Sequence, residues 1–255
     1  MVMKVLCVGN SFAVDAATYV HQEAKHAGFD VDIYVLYIGG CPISLHWENI
    51  QNDKKDYELY INGNRTPECN ISLKEGIMLK EWDYITFQQV SHKSGDPTSY
   101  FPELTLLLNK VREMSKATFV LHETWSYAKT YSHWLYGSNP LDQNRMDKDI
   151  ENAYQTVSEK TGIKYIIPVG NAVKEARKTL GDNLNRDGFH LNEIGRTLAS
   201  TIWTMFFLGN NINLEGFKPS GYSYDDVTGP IDDETFDILV DVARKVISKN
   251  INHNL

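Results

Sequence analysis

A three-layer α/β/α fold built on about five parallel strands is predicted by three features of this 255-residue chain. Short β-branched and apolar runs without polar alternation alternate with segments of helical periodicity, the signature of strands buried on both faces. Glycines stand where the strands and helices should end. The composition, 42% hydrophobic and 23% charged, is that of a protein with a sizeable core and excludes a disordered chain.

Met3–Val8 is the first such run. Val14, Ala17, Val20, Ala24 and Ala27 then recur at helical spacing, and Gly28 supplies the stop. Asp30–Ile38 reads as the second strand, ended by Gly39-Gly40, and Trp82–Gln89 as the third. Pro102 opens a helix with the stripe Leu104, Leu107, Leu108, Val111 and Met114. Thr118–His122 is the fourth strand. Met146, Ile150, Ala153 and Val157 face inward from a helix that stops at Gly162. Lys164–Val169 is the fifth strand, followed by a short helix around Ala172–Leu180. A helix carrying Leu198, Ile202, Met205 and Phe206 ends at Gly209, and a last one begins at Asp232 or Asp233.

Two segments interrupt this alternation. Ile43–Glu81 is expected to be an insertion, in which Tyr57–Asn62, the turn Gly63-Asn64 and Cys69–Leu73 form a small hairpin. Asn210–Gly229, rich in Gly, Asn, Pro and Tyr, is expected to be ordered loop packed on the body. Neither separates two cores, so one domain over residues 1–255 is expected.

Charge excludes some partners. With 25 basic and 33 acidic residues and no basic cluster, the chain is not expected to track a nucleic-acid backbone. Its longest near-apolar run, Ile202–Leu208, is far short of the ~20 residues of a membrane span. Three cysteines form neither a disulfide framework nor a CxxC pair, and the start lacks a cleavage site, which fits a cytoplasmic setting unless a leader has been removed. Histidines and carboxylates do not fall at zinc-ligand spacing, so no metal or other cofactor is expected. Asn64-Arg65-Thr66 and Asn70-Ile71-Ser72 match the glycosylation pattern by chance on this reading.

In an open parallel sheet, ligands bind beyond the carboxyl ends of the strands. Those ends carry Asn10 and Ser11; Gly39 and Gly40; Gln88 and Gln89; Glu123 and Trp125; and, after the fifth strand and its helix, Asp187 to His190. Ser11 opens a helix, as a nucleophile or as its N-cap. Asp187 can reach Nδ1–H of His190 across two residues, leaving Nε2 to act as a base; the bland alternative is a structural His before a helix capped by Asn192. Backbone N–H groups of Ser11 and of Gly39 or Gly40, with an amide from Gln89 or Gln88, are candidate oxyanion donors. Glu123 could bind hydroxyls, and Trp125 is either a sugar-stacking surface or a core ring. Trp47, Tyr57, Tyr60, Tyr127, Tyr131 and Trp134 give the long connections an aromatic content compatible with a glycan cleft, most of it expected to be packing.

With Gly9-Asn10-Ser11-Phe12 after the first strand and Asp187-Gly188-Phe189-His190-Leu191-Asn192 before a late helix, the chain resembles the SGNH (GDSL-like) hydrolase superfamily over roughly residues 3–208. The narrower resemblance is to a bacterial branch with a GNSF opening. It implies a flavodoxin-like doubly wound sheet, Ser11 as nucleophile, His190 as base, Asp187 as its orienting acid, and the N–H of Ser11 and of Gly39 or Gly40 at the oxyanion. The family's third block, Gly-x-Asn-Asp, is replaced by Gln88-Gln89-Val90-Ser91. The activity implied is hydrolysis of short-chain esters, acetyl in the first place, on a carbohydrate or related small molecule. The alternatives are a non-catalytic glycan-binding module, or a thioesterase or lysophospholipase with an apolar groove. An α/β-hydrolase is excluded because residue 13 is Ala where its elbow has Gly, and a dinucleotide fold because no GxGxxG follows the first strand.

Overall fold

The computed structural model describes residues 2–138, 140–220 and 231–254. At its centre lies β1 (Met3–Gly9), whose residues from Val5 onward are all buried. It pairs in parallel with β2 (Val31–Tyr37) on one side and β5 (Tyr84–Phe87) on the other. Parallel pairing continues through β6 (Thr118–His122) to β9 (Tyr165–Ile167). Taken in chain order, these five strands lie 2-1-3-4-5, the flavodoxin-like arrangement, with the order reversing between β1 and β5. The expected α/β class therefore holds.

The sheet is larger than expected. A hairpin, β3 (Tyr57–Ile61) and β4 (Asn64–Ile71), forms within the insertion, its second strand beginning at Asn64 where Cys69 was expected; it joins the sheet antiparallel on the free edge of β2 and makes seven strands. Tyr34 pairs with Ile61 and Tyr37 with Glu58, so the insertion extends the scaffold on the side of the second strand. It also contains two helices not read from the sequence, α3 (Ile43–Asn52) and α4 (Leu73–Met78). The second of these carries a Ser72–Glu75 capping box.

The single helix expected after β1 is two: α1 (Ser11–Ala17) and α2 (Val20–His26). The break is tertiary in origin. Tyr19 N–H donates to Ser200 Oγ, and Thr18 Oγ1 bonds back to Val14 O. The remaining helices are α5 (Glu103–Arg112), α6 (Gln143–Thr161), α7 (Val169–Leu180), α8 (Glu193–Leu208) and α9 (Asp233–Asn254). α8 packs on α1, α2, α7 and α9, while α3 packs on α4 and α5. A two-stranded ribbon, β7 (Ser132–His133) and β8 (Gly137–Ser138), stands apart from the main sheet.

Buried apolar residues from Val5 to Ile247 form one contiguous cluster. Ile212, Leu214 and Phe217 seat the first part of the 210–229 segment on the body; residues 221–229 lie outside the described residues. Cys7 and Cys41 are buried free thiols. Among the described residues, no helix is long and apolar enough to cross a membrane, and no group of three or more His, Cys, Asp and Glu could hold a metal ion.

Candidate active site

At the point where strand order reverses, β1 delivers the chain into α1 through Asn10. Its side chain caps the helix, Oδ1 accepting from Phe12 N–H at 3.1 Å, and its Nδ2 donates to Cys41 O at 3.1 Å. Gln88 Nε2 donates to the same Asn10 Oδ1 at 2.7 Å. One buried amide thus ties together the exits of β1, β2 and β5. Because Asn10 is the cap, the Ser11 hydroxyl is not needed for capping. Gly9 permits the tight turn: a Cβ there would lie 2.8 Å from Ala13 Cβ.

Ser11, His190 and Asp187 meet across 179 positions of sequence. Ser11 Oγ lies 2.8 Å from His190 Nε2, and His190 Nδ1 lies 2.6 Å from Asp187 Oδ2. The other carboxylate oxygen accepts the N–H groups of Phe189 at 3.1 Å and His190 at 2.8 Å. Partial burial opposes ionisation of Asp187, but the His190 side chain and these two N–H donors outweigh it and hold the carboxyl below its ordinary range. With Asp187 accepting at Nδ1–H, Nε2 is the imidazole nitrogen left to take a proton.

The histidine loop is braced from several sides. Trp125 Nε1–H donates to Phe189 O at 2.8 Å, and Ala128 N–H donates to Gly188 O at 2.7 Å. Gly188 has φ +96°, and a Cβ on it would meet Tyr131 Cδ2 at 2.5 Å, so only glycine fits there. Beneath the loop, Asp15 of α1 is fully buried. It accepts Leu191 N–H at 2.9 Å, Arg196 Nε–H at 2.9 Å and Arg186 at 3.1 Å. The helix that starts with Ser11 is thereby bonded to the residue next to His190. Asn192 does cap α8, through Gly195 N–H, so the structural role weighed for this segment coexists with the His190 contact. Asp15, Arg186 and Arg196 carry no local motif, and only their burial marks them.

A cleft of about 500 Å³ opens over Ser11 and His190, within the usual size range of small-molecule sites. Asn10, Ser11, Gly39 and Gly40 are among its lining residues. The glutamines require correction. Gln88 is buried between Asn10 and His122, whose Nδ1–H donates to Gln88 Oε1 at 2.6 Å. Gln89 is buried as well, its Oε1 accepting Ile43 N–H at 3.0 Å and Val90 N–H at 2.9 Å while Nε2 donates to Ser99 O at 2.8 Å. Both amides are saturated by the scaffold and neither lines the cleft. From the exit of β5, Val90, Ser91 and His92 reach the cleft instead.

Glu123 and Trp125 also lie elsewhere than expected. Trp125 is wholly buried and stacks on Phe12 at 4.0 Å between ring centroids, which is the core alternative weighed for it. Glu123 lines a separate, polar cavity beside α6 and α7 and accepts Asn171 N–H at 3.0 Å. Burial pushes its carboxyl up to about 8. Of the aromatic residues expected at a cleft, Tyr127, Tyr131 and Trp134 line it, together with Phe12, Tyr37, Ser132, His133 and Phe189, whereas Tyr57 and Tyr60 are buried in the core and Trp47 packs against it. Tyr127 OH bonds Ser91 Oγ at 2.8 Å and fixes that wall to β5.

The fold is shared with SGNH-like hydrolases. A proposed SGNH hydrolase from Slackia heliotrinireducens superposes with a TM-score of 0.55 at 19% identity, over 81% of this chain and 100% of its own. A proposed GDSL-like lipase from Parabacteroides merdae ATCC 43184 gives 0.53 at 14% identity, over 80% and 94%. At these identities the likeness is one of fold. A DUF4886 family protein from Bacteroides uniformis ATCC 8492 is far more similar, with a TM-score of 0.85 and 31% identity over 97% of this chain and 95% of that one. Residues 4–227 match the model of the same family, described as a domain of unknown function, and the chain belongs to the DUF4886 family. None of the curated proteins matches the chain.

Proposed function

We propose that this protein is a serine esterase that removes a short acyl group, acetyl in the first instance, from a carbohydrate or similar small molecule. The observation that carries the reading is the unbroken hydrogen-bond chain from Ser11 Oγ through His190 to Asp187 beneath an open cleft. Ser11 Oγ attacks the ester carbonyl as its proton passes to His190 Nε2, and the Asp187 carboxylate stabilises the imidazolium. The N–H groups of Ser11 and the Gly39-Gly40 turn receive the oxyanion. When the tetrahedral intermediate collapses, the alcohol leaves with the proton from His190. Water, deprotonated by the same nitrogen, then releases the carboxylic acid and regenerates the serine.

The test is turnover of p-nitrophenyl acetate by the wild type and by Ser11→Ala. The variant is expected to keep the wild-type circular dichroism and lose at least a thousandfold in kcat. Turnover by Ser11→Ala near the wild-type rate would remove the mechanism. An inert wild type would favour the non-catalytic binding module.

A further inference from the structure

The cleft over Ser11 is built of rings. Phe12, Tyr37, Tyr127, Tyr131, Trp134 and Phe189 line it, and no Asp, Glu, Lys or Arg does so among the described residues. Two further histidines face the same space, His92 and His133. Burial lowers the pKa of both, with the Lys93 charge adding to the effect at His92, so neither supplies a cation at neutral pH. A formal charge on a ligand in this cleft therefore meets no countercharge from its walls. For an anion, the net charge of −8 on the chain adds an opposing field.

Trp134 is 79% exposed at the rim, which leaves most of its ring without a packing role in the fold. It is nevertheless backed by a fixed surface. Its ring stacks on His133 with centroids 5.5 Å apart and planes 27° from parallel. His133 is in turn held at both nitrogens, Nε2–H donating to His92 O at 3.2 Å and Nδ1 accepting Leu135 N–H at 3.1 Å. The turn of the β7–β8 ribbon thus presents an exposed, backed indole in the cleft that Ser11 also lines. Hydroxyls of Ser91, Tyr131 and Ser132 and the imidazole of His92 share the cleft with these ring faces. Ring faces beside hydroxyl partners suit a ligand with apolar C–H faces and a polar equatorial edge.

Resting on the esterase reading above, we propose that the alcohol part of the substrate is an uncharged pyranose that stacks on Trp134, and that a charged group on that ring is selected against. The test compares three acetates: p-nitrophenyl acetate, a mono-acetylated methyl glucoside, and the methyl glucuronoside acetylated at the same oxygen. The wild type is expected to cleave the glucoside with a kcat/KM at least tenfold above that for the glucuronoside. Trp134→Ala should lower kcat/KM for the glucoside at least tenfold more than for p-nitrophenyl acetate, mainly through KM, and Trp134→Tyr should recover most of it. Equal cleavage of the two glycosides, or equal losses on glucoside and aryl ester, would overturn the inference while leaving the esterase reading in place. A wild type inert toward p-nitrophenyl acetate would overturn that reading itself.

Discussion

Asp15→Asn probes how the histidine loop is held to the helix that begins with Ser11. Asp15 is the shared acceptor for two guanidinium groups, Arg196 with 1% of its side chain exposed and Arg186 with 8%. The substitution keeps the volume, but it removes the charge and turns an NH₂ toward donors, taking from two buried guanidinium groups a carboxylate that they share. Breaking a buried pair in this way costs about 3–5 kcal/mol. For a chain of this size each kcal/mol moves Tm by about 2–4 °C, so a fall of roughly 6–20 °C is expected by calorimetry. Activity should fall separately. Leu191 N–H loses a charged acceptor next to His190, and a small displacement of the imidazole at 2.8 Å from Ser11 lowers kcat about tenfold or more at temperatures where the variant is fully folded. A Tm within 2 °C of wild type, or a folded variant with unchanged kcat, would refute the argument.

Three further outcomes follow from buried or constrained groups. Glu23 is fully buried, and burial pushes its carboxyl from 4.5 up to about 8 against the hydrogen bonds of Thr204 and Thr201. Its folded pKa lies above the unfolded one, so it takes up a proton on folding, and its contribution is lost as pH rises from about 4.5 through 8. Wild-type Tm should drop over that window, Glu123 adding to the drop because burial raises its carboxyl to about 8 as well, and Glu23→Gln should make the drop smaller; identical pH profiles would contradict the assignment. Gly188→Ala forces a methyl against Tyr131 at a positive φ, and should cost about 1–3 kcal/mol in denaturant unfolding together with most of the p-nitrophenyl acetate turnover expected of the wild type. Gln89→Ala, with its amide serving Ile43, Val90 and Ser99, should lower stability by about 1–3 kcal/mol, with kcat in the folded variant changing much less than in Ser11→Ala.

The five parallel strands were legible because each carries a short apolar or β-branched run, buried from Val5 onward in β1 and at least towards the carboxyl end in the others, and a run such as Met3–Val8 does not depend on its neighbours to be recognised. The strand ends were legible with them, which is why Ser11 and His190 could be paired before any geometry was known. What escaped notice depends on partners distant in sequence. α3 buries His46 and Asn49 beside Ile43 and Ile50, so its inward face reads as polar connection. The addition of Tyr57–Ile61 to the edge of β2 is set by cross-strand pairing that leaves no local mark. Gln88 and Gln89 stand at a strand exit as oxyanion donors would, but their amides are turned into the scaffold by Asn10, His122 and Ile43. The same holds for Asp15, whose partners lie more than 170 positions away.

The account rests on Ser11 being activated by His190, and covalent trapping measures that directly. Incubation with a fluorophosphonate should add one adduct per chain by intact mass, mapped to the peptide containing Ser11, at a rate that falls at least a hundredfold in His190→Ala. A wild-type protein that stays unmodified, or a His190→Ala variant labelled as fast as wild type, would contradict it.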